Sequence, residues 1–177
     1  MKMYEKFKIF INLRLKYLIM ASKQVDTPLA ELTLRRYEKP YNLNSRELVR
    51  KLCLSLGLLN PGDSRDVIVD VFYVFLEAKK ENKLLSSDNV RDEVMSFRKE
   101  SKLDDTGTAA SNIRRQIRRL RKVLLVEKIK NEYRISEFSQ LSTIFEEKLE
   151  RFLLPSLIER LKDYLTAVDE AFKERKE

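Results

Sequence analysis

Apolar residues recur at helical spacing along most of this 177-residue chain, and short β-prone runs interrupt them in the second half. The most apolar helix is predicted from a cap at Asp63 or Ser64 through about Lys80, and its apolar residues cover more than half of its circumference. A helix of this kind is expected in the middle of a core. A shorter helix is predicted before it, with Ser45 as its N-cap and Gly57 as its C-terminal stop.

A strand, two helices and a hairpin are predicted after the central helix. The polar tripeptide Lys130-Asn131-Glu132 separates two β-prone segments, which indicates the tip of a hairpin. The predicted order is a strand at residues 83–86, a helix beginning after a cap at Ser87, a helix over residues 109–123, and hairpin arms at residues 125–129 and 133–135.

Residues 1–44 are predicted to form an N-terminal helical extension. Thr27 is a suitable N-cap and Pro28 a suitable first residue for a helix that runs toward Tyr37. Residues 1–20 show a mildly amphipathic pattern whose charges argue against a membrane-spanning helix, which needs about 18 to 20 apolar residues in succession. A helix lying in a membrane interface is the alternative for this segment.

Residues 137–177 are predicted to form C-terminal helices interrupted at Pro155. Before the proline, one face is lined by Phe138, Leu141, Phe145, Leu149 and Phe152. After it, the apolar residues follow the 3-4-3-4 spacing of a coiled-coil or helix-hairpin seam, at Ile158, Leu161, Leu165, Val168 and Phe172. We predict a homodimer formed through residues 137–177, and packing of these helices on the chain's own core is the alternative.

The net charge of +8 is concentrated in one stretch of the chain. Residues 106–135 contain nine basic and two acidic side chains, a net of +7, whereas the other 147 residues contain 27 basic and 26 acidic ones, a net of +1. Because neutralised phosphates release condensed counterions, a basic segment of this kind indicates a polyanionic partner. Residues 137–177, with seven basic and ten acidic side chains, are not expected to contact DNA.

The composition argues against several classes of enzyme. The chain has no histidine, one cysteine (Cys53) and three scattered glycines, so it lacks the usual general base, a disulfide, a cysteine-based metal cluster and a phosphate-binding glycine loop. We therefore predict a non-enzyme without cofactor or metal. The single cysteine and the absence of a long apolar segment favour a cytoplasmic location with no membrane partner.

The segment over residues 109–123 has one apolar and one basic face. At about 100° per residue, one sector contains the predicted core residues Ala110, Ile113, Ile117, Leu120 and Leu124. These residues are expected to pack on the central helix, at Ile68, Phe72 and Phe75. The opposite sector contains Ser111, Asn112, Arg115, Arg118, Arg119 and Lys122, and Arg114 and Arg121 flank the apolar stripe. Five arginines against one lysine favour phosphate recognition.

This order of elements, together with the segment SNIRRQIRRLRKVLLVEKIKNEYRIS (residues 111–136), resembles the winged helix-turn-helix family of DNA-binding domains. The resemblance covers about 70 residues and implies a mainly α domain with a small β-hairpin wing, placed within residues 45–136. Two features depart from the family pattern. Val123-Leu124 replaces the glycine that is common before the wing, and the loop before the helix at 109–123 is long.

The resemblance implies that helix 109–123 enters the major groove of DNA, with its N-terminal half at the base edges. The implied base-reading residues are Ser111, Asn112, Arg115 and Arg118. The implied backbone contacts are Arg114, Arg119, Arg121 and Lys122 of the helix and Lys128, Lys130 and Arg134 of the wing. We expect a dimeric transcriptional regulator of double-stranded DNA. The alternatives are an RNA- or ribosome-associated protein and a protein-binding assembly adaptor.

Overall fold

The computed structural model describes residues 28–173, which are mainly helical and include a small three-stranded antiparallel sheet. The chain divides into two units, Met1–Glu31 and Leu32–Glu177, and every helix and strand described here lies in the second. These elements are α1 (Ser45–Ser55), α2 (Val67–Lys80), β1 (Leu85–Ser86), α3 (Ser87–Glu100), α4 (Ala110–Lys122), β2 (Val126–Ile129), β3 (Glu132–Ile135), a 3₁₀ turn (Ser136–Phe138), α5 (Leu141–Ile144), a π-helical stretch (Phe145–Leu153) and α6 (Leu154–Ala171).

The central position predicted for the most apolar helix is confirmed. α2 contacts α1, α3, α4 and β3, and its side chains Val69, Val71 and Phe72 have no exposed surface. The helix begins at Val67 rather than directly after Asp63 or Ser64. The side chain of Asp63 instead accepts a hydrogen bond from the backbone N–H of Arg65 at 2.9 Å, which closes a local turn before the helix.

The predicted strand and hairpin are confirmed as a sheet with strand order β1-β3-β2. Both pairings are antiparallel, with Leu85 opposite Tyr133 and Val126 opposite Ile135. Glu132 belongs to β3 and pairs with Ile129, so the hairpin tip contains two residues and not the predicted three.

Helices α1 to α4 are each followed, two residues beyond their last residue, by a residue with positive φ. After α4 this residue is Leu124, with φ = 60°. The N–H of Leu125 donates to the carbonyl of Leu120 at 3.2 Å, the bond of a Schellman C-cap. A glycine commonly occupies this position. The prediction that Leu124 packs into the core is wrong, because the left-handed turn points its side chain outward, where 37% of it is exposed.

The helix predicted from Pro28 toward Tyr37 is also wrong, since residues 28–44 contain no regular secondary structure. The backbone N–H of Arg35 donates to the carbonyl of Ser55 at 2.8 Å, and its guanidinium donates to the carbonyls of Leu54 and Leu59. Arg35 thus makes hydrogen bonds to the C-terminal end of α1 and the turn after it, in place of the hydrogen bonds of a local helix. The pattern predicted for residues 1–20, and Thr27 as a cap, lie outside the described residues.

The helix does not break at Pro155, contrary to the prediction, because residues 141–171 are helical throughout; we call them the C-terminal helix. The π-helical stretch ends at Leu153, two residues before Pro155, whose missing N–H and ring disturb the α-helical bonding of the preceding turn. Ile144 and Leu149 are buried in the core, but Phe138 lies before the helix with φ = 52° and Phe152 is 81% exposed. Leu141, Phe145 and Leu149 of the predicted face do pack against the core, whereas Phe138 and Phe152 are not part of it.

The last part of the C-terminal helix leaves the core. No residue of α6 is buried, and the predicted seam residues are 45% to 82% exposed, namely Ile158, Leu161, Leu165, Val168 and Phe172. None of the helices within residues 28–173 has both the length and the apolar character needed to cross a membrane.

Candidate nucleic-acid interface

The basic helix α4 is fixed by the side that faces the core. Ile113, Ile117 and Leu120 are at most 2% exposed and belong to the same buried cluster as the central residues of α2. Burying three such side chains contributes roughly 1.5–3 kcal/mol each relative to exposure. The predicted two-faced character of this helix is therefore confirmed at these positions, and the basic residues are held on the opposite side.

A buried ion cluster ties α2 to α1 and α3. Asp70 of α2 has no exposed surface; its Oδ2 accepts from Arg98 of α3, and its Oδ1 accepts from Nε of Arg46 of α1 at 2.8 Å. Arg46 also pairs with Asp66 at 2.8 Å. Burial alone would lower the pKa of Arg46, but the bonds to Asp70 and Asp66 outweigh it, and the pKa is raised.

Arg98 extends this cluster to the loop before α4. Its Nε donates to the carbonyl of Asp104 at 2.6 Å. Its guanidinium also donates to Asp70, and Arg98 is only 4% exposed. The loop carbonyl of Thr108 in turn accepts from Nε of Arg91 of α3 at 3.3 Å. These bonds hold the loop to α3 and thereby set the position at which α4 begins.

The outer face of α4 carries the basic residues predicted to bind nucleic acid. Arg115 and Arg118 are exposed, and Ser111 lies on the same face. Within residues 28–173, no ion pair with a carboxylate involves these two arginines or their exposed neighbours Arg114, Arg121 and Lys122. Within the described part of the chain, five cations on one helix thus face solvent without a carboxylate partner.

Asn112 and Arg119 lie on the inner side of this face, where a chain of hydrogen bonds engages them. Nδ2 of Asn112 donates to the carbonyl of Gly107 at 2.6 Å, and its Oδ1 accepts from Gln116 at 2.8 Å. Arg119 donates to Oε1 of Gln116 at 3.0 Å and to the carbonyl of Leu58. These bonds fix the orientation of the Asn112 amide and use one of its two N–H donors, which makes it a weaker base-reading candidate than Arg115.

The hairpin contributes two exposed cations, Lys128 and Lys130. Arg134, the third predicted wing contact, is half-buried; its Nε pairs with Glu127 at 2.7 Å, and its guanidinium lies 4.7 Å from the ring centre of Phe138. Burial would raise the pKa of Glu127, but bonds from the N–H of Glu137 and from Arg134 lower it below its usual value. Arg134 therefore stabilises the base of the hairpin within the chain.

Sequence reasoning missed the buried ion cluster, although one signal for it was present. Asp70 is the one charged residue in the apolar run VIVDVFYVFL, and a buried carboxylate requires a cationic partner. Nothing in the local pattern identifies Arg98, 28 residues later, as that partner. Cys53 lies in the core, and burial raises the pKa of its thiol to about 12.

The candidate interface is thus a basic helix held by apolar contacts and a buried ion cluster, with two lysines on the adjoining hairpin. No family model, curated protein or solved structure matches this chain.

Proposed function

We propose that this protein is a non-enzymatic, sequence-specific double-stranded DNA-binding protein, acting as a dimeric transcriptional regulator that inserts α4 into the major groove. The observation that carries the proposal is the exposed face of α4, which presents Arg114, Arg115, Arg118, Arg121 and Lys122 without carboxylate partners in the described part of the chain. α4 has 13 residues and is about 20 Å long, and a helix with its side chains is about 10–12 Å across, which fits the roughly 12 Å wide major groove.

The order of the elements also supports a winged helix-turn-helix domain. α2, β1, α3, α4 and the hairpin β2-β3 follow in the sequence expected for that family, with β1 paired to β3. In this docking mode, the N-terminal half of α4 contacts base edges, and the hairpin lies near the sugar-phosphate backbone. Ser111, Arg115 and Arg118 are then the base-reading candidates, and Lys128 and Lys130 approach the backbone from the hairpin.

A salt series tests the proposal directly. Binding of the full chain to a fluorescent mixed-sequence DNA duplex should weaken steeply with salt, because each phosphate contact adds about −0.9 to the slope of log K against log salt. Five contacts give a slope of about −4 to −5. Structured RNA and heparin should bind more weakly than duplex DNA.

Two outcomes would contradict DNA-specific binding. Equal affinity for duplex DNA, RNA and heparin would show a general polyanion surface or an RNA-binding role. An absence of salt-sensitive binding to all three would favour a protein-binding adaptor.

The second part of the proposal is a homodimer formed through the exposed seam of α6. Ile158, Leu161, Leu165 and Val168 stay about half exposed in one chain, although they follow the spacing at which two helices bury such residues against each other. A two-fold dimer would place two copies of α4 about 34 Å apart, matching two half-sites one helical turn apart.

Substitution of the seam should separate the two copies. We expect Leu161→Asp with Leu165→Asp to convert a dimer to a monomer in sedimentation velocity at micromolar concentration, because buried carboxylates would face each other without cations. The matched control is Glu159→Asp with Lys162→Arg, which keeps every charge and leaves the seam residues in place. A wild-type chain that is already monomeric would refute the dimer without bearing on α4.

A further inference from the structure

A groove runs along the inner edge of α4, opposite the turn between α1 and α2. Its volume is about 640 Å³, within the range of sites that accommodate small ligands or a nucleotide unit. One wall contains Asp63 and Arg65 of the turn, and the other contains Ser111, Arg115 and Arg119 of α4. Arg65 precedes α2 and belongs to neither the predicted base-reading residues nor the predicted backbone contacts.

The groove is electropositive. Three guanidinium groups line it against the single carboxylate of Asp63, which accepts the backbone N–H of Arg65 at 2.9 Å and lies 3.9 Å from Nε of Arg65. Arg115 and Arg119 are like charges on the same wall. Burial lowers the pKa of Arg119, the charge of Arg115 lowers it further, and together they outweigh the opposing effect of Asp63.

Arg119 is held in position to donate into the groove. A guanidinium has five N–H donors, and Arg119 uses two groups, Nη1 toward Gln116 and Nη2 toward the carbonyl of Leu58. These bonds fix its plane before any ligand arrives, so less side-chain entropy is lost on binding. Arg65, whose side chain is 80% exposed, can close on a bound group from the mouth of the groove.

We propose that this groove holds a backbone phosphate of the DNA strand that passes beside α4, with Arg119 at the rear and Arg65 at the mouth. This inference rests on the proposed function, since it places a strand next to the helix that enters the major groove. It adds Arg65 as a DNA contact and gives Arg119 a defined role. Planar multi-donor groups match the geometry of phosphate oxygens and can bind them in a bidentate arrangement.

The test compares Arg65→Ala with wild type by anisotropy on the same mixed-sequence duplex across a salt series. We expect binding to weaken about 10-fold, as for loss of one charge-assisted hydrogen bond, and the salt slope to fall by about 1. Arg65→Lys should recover part of the loss, because charge is kept and the planar donor set is not. The matched control is Arg151→Ala, an exposed arginine on the net acidic C-terminal helix, which should leave affinity unchanged.

Side-chain NMR identifies the source of the phosphate. The Nε–Hε signals of Arg65 and Arg119 should shift on addition of the duplex, and should shift little with millimolar inorganic phosphate at the same ionic strength. Saturable shifts with inorganic phosphate but not with duplex would overturn the inference in favour of a free-anion site. An Arg65→Ala variant that binds duplex like wild type would overturn it while leaving α4 as the DNA-binding helix. Absence of duplex binding by wild type would overturn the proposed function itself, and this inference with it.

Discussion

Replacing both Arg115 and Arg118 by Ala should weaken binding to a preferred DNA duplex by about 2–6 kcal/mol, which is roughly 30-fold to 10⁴-fold. Both side chains are exposed on the outer face of α4, and neither has a carboxylate partner in the described part of the chain. A bidentate arginine contact to guanine discriminates by about 1–3 kcal/mol, and the two contacts are added here as if independent. Anisotropy with a duplex selected from a random library would measure the loss, and the selected bases should become less restricted at two positions.

The double variant must fold like wild type if its loss of affinity is to be attributed to lost contacts with DNA. Because both arginines lie outside the core, the free energy of unfolding of the double variant should stay within about 0.5 kcal/mol of wild type. Arg151→Ala with Arg160→Ala is the matched control, since it removes two arginines from the C-terminal helix and should leave affinity unchanged. If the control weakened binding as much as the test variant, α4 would not be the principal contact.

Replacing Asp70 by Ala should lower the free energy of unfolding by about 3–5 kcal/mol, a large part of the stability of a domain this size. The carboxylate has no exposed surface and accepts bonds from Arg98 and Arg46. Its removal leaves the buried guanidinium of Arg98 with two weaker partners, Asp66 before α2 at 3.6 Å and Asp104 of the loop at 3.4 Å. Urea denaturation followed by circular dichroism would measure the change.

A matched pair of variants separates charge from packing. Asp70→Asn keeps an acceptor of similar size and should cost less than Asp70→Ala, whereas Asp92→Ala, at an exposed position on α3, should stay within about 0.5 kcal/mol of wild type. An Asp70→Ala variant as stable as wild type would show that the cluster does not hold α1, α2 and α3 together.

The sequence predicted α4 well because the information is local. The phase of a helix depends only on spacing along the chain, so Ile113, Ile117 and Leu120 follow from a period of 3.6 residues. The hairpin was predicted for the same reason, since alternating apolar residues and a polar tip are neighbours in the sequence. The same spacing places the arginines on the side opposite the apolar residues, so their exposure could also be predicted from the sequence.

The predictions that were wrong depend on contacts between residues far apart in the sequence, which a local pattern does not show. Thr27 and Pro28 are ordinary helix-start signals, but the segment that follows them bonds to the end of α1 through Arg35 instead. Leu124 takes a left-handed conformation that its residue type disfavours, because α4 must turn there to enter β2. The engagement of Asn112 with Gly107 and of Arg119 with Leu58 likewise requires the tertiary structure.

The passage of the C-terminal helix through Pro155 without a break has a geometric consequence. Ile144 and Leu149 anchor one end of this helix in the core, and the seam that begins at Ile158 continues on the same rod. Each residue added to a continuous helix rotates everything beyond it by about 100°. One residue inserted between Leu149 and Ile158 would therefore turn the seam by about 100° relative to α4. In a dimer joined at the seam, the number of residues in that interval would therefore determine the distance and the angle between the two DNA half-sites that the dimer contacts.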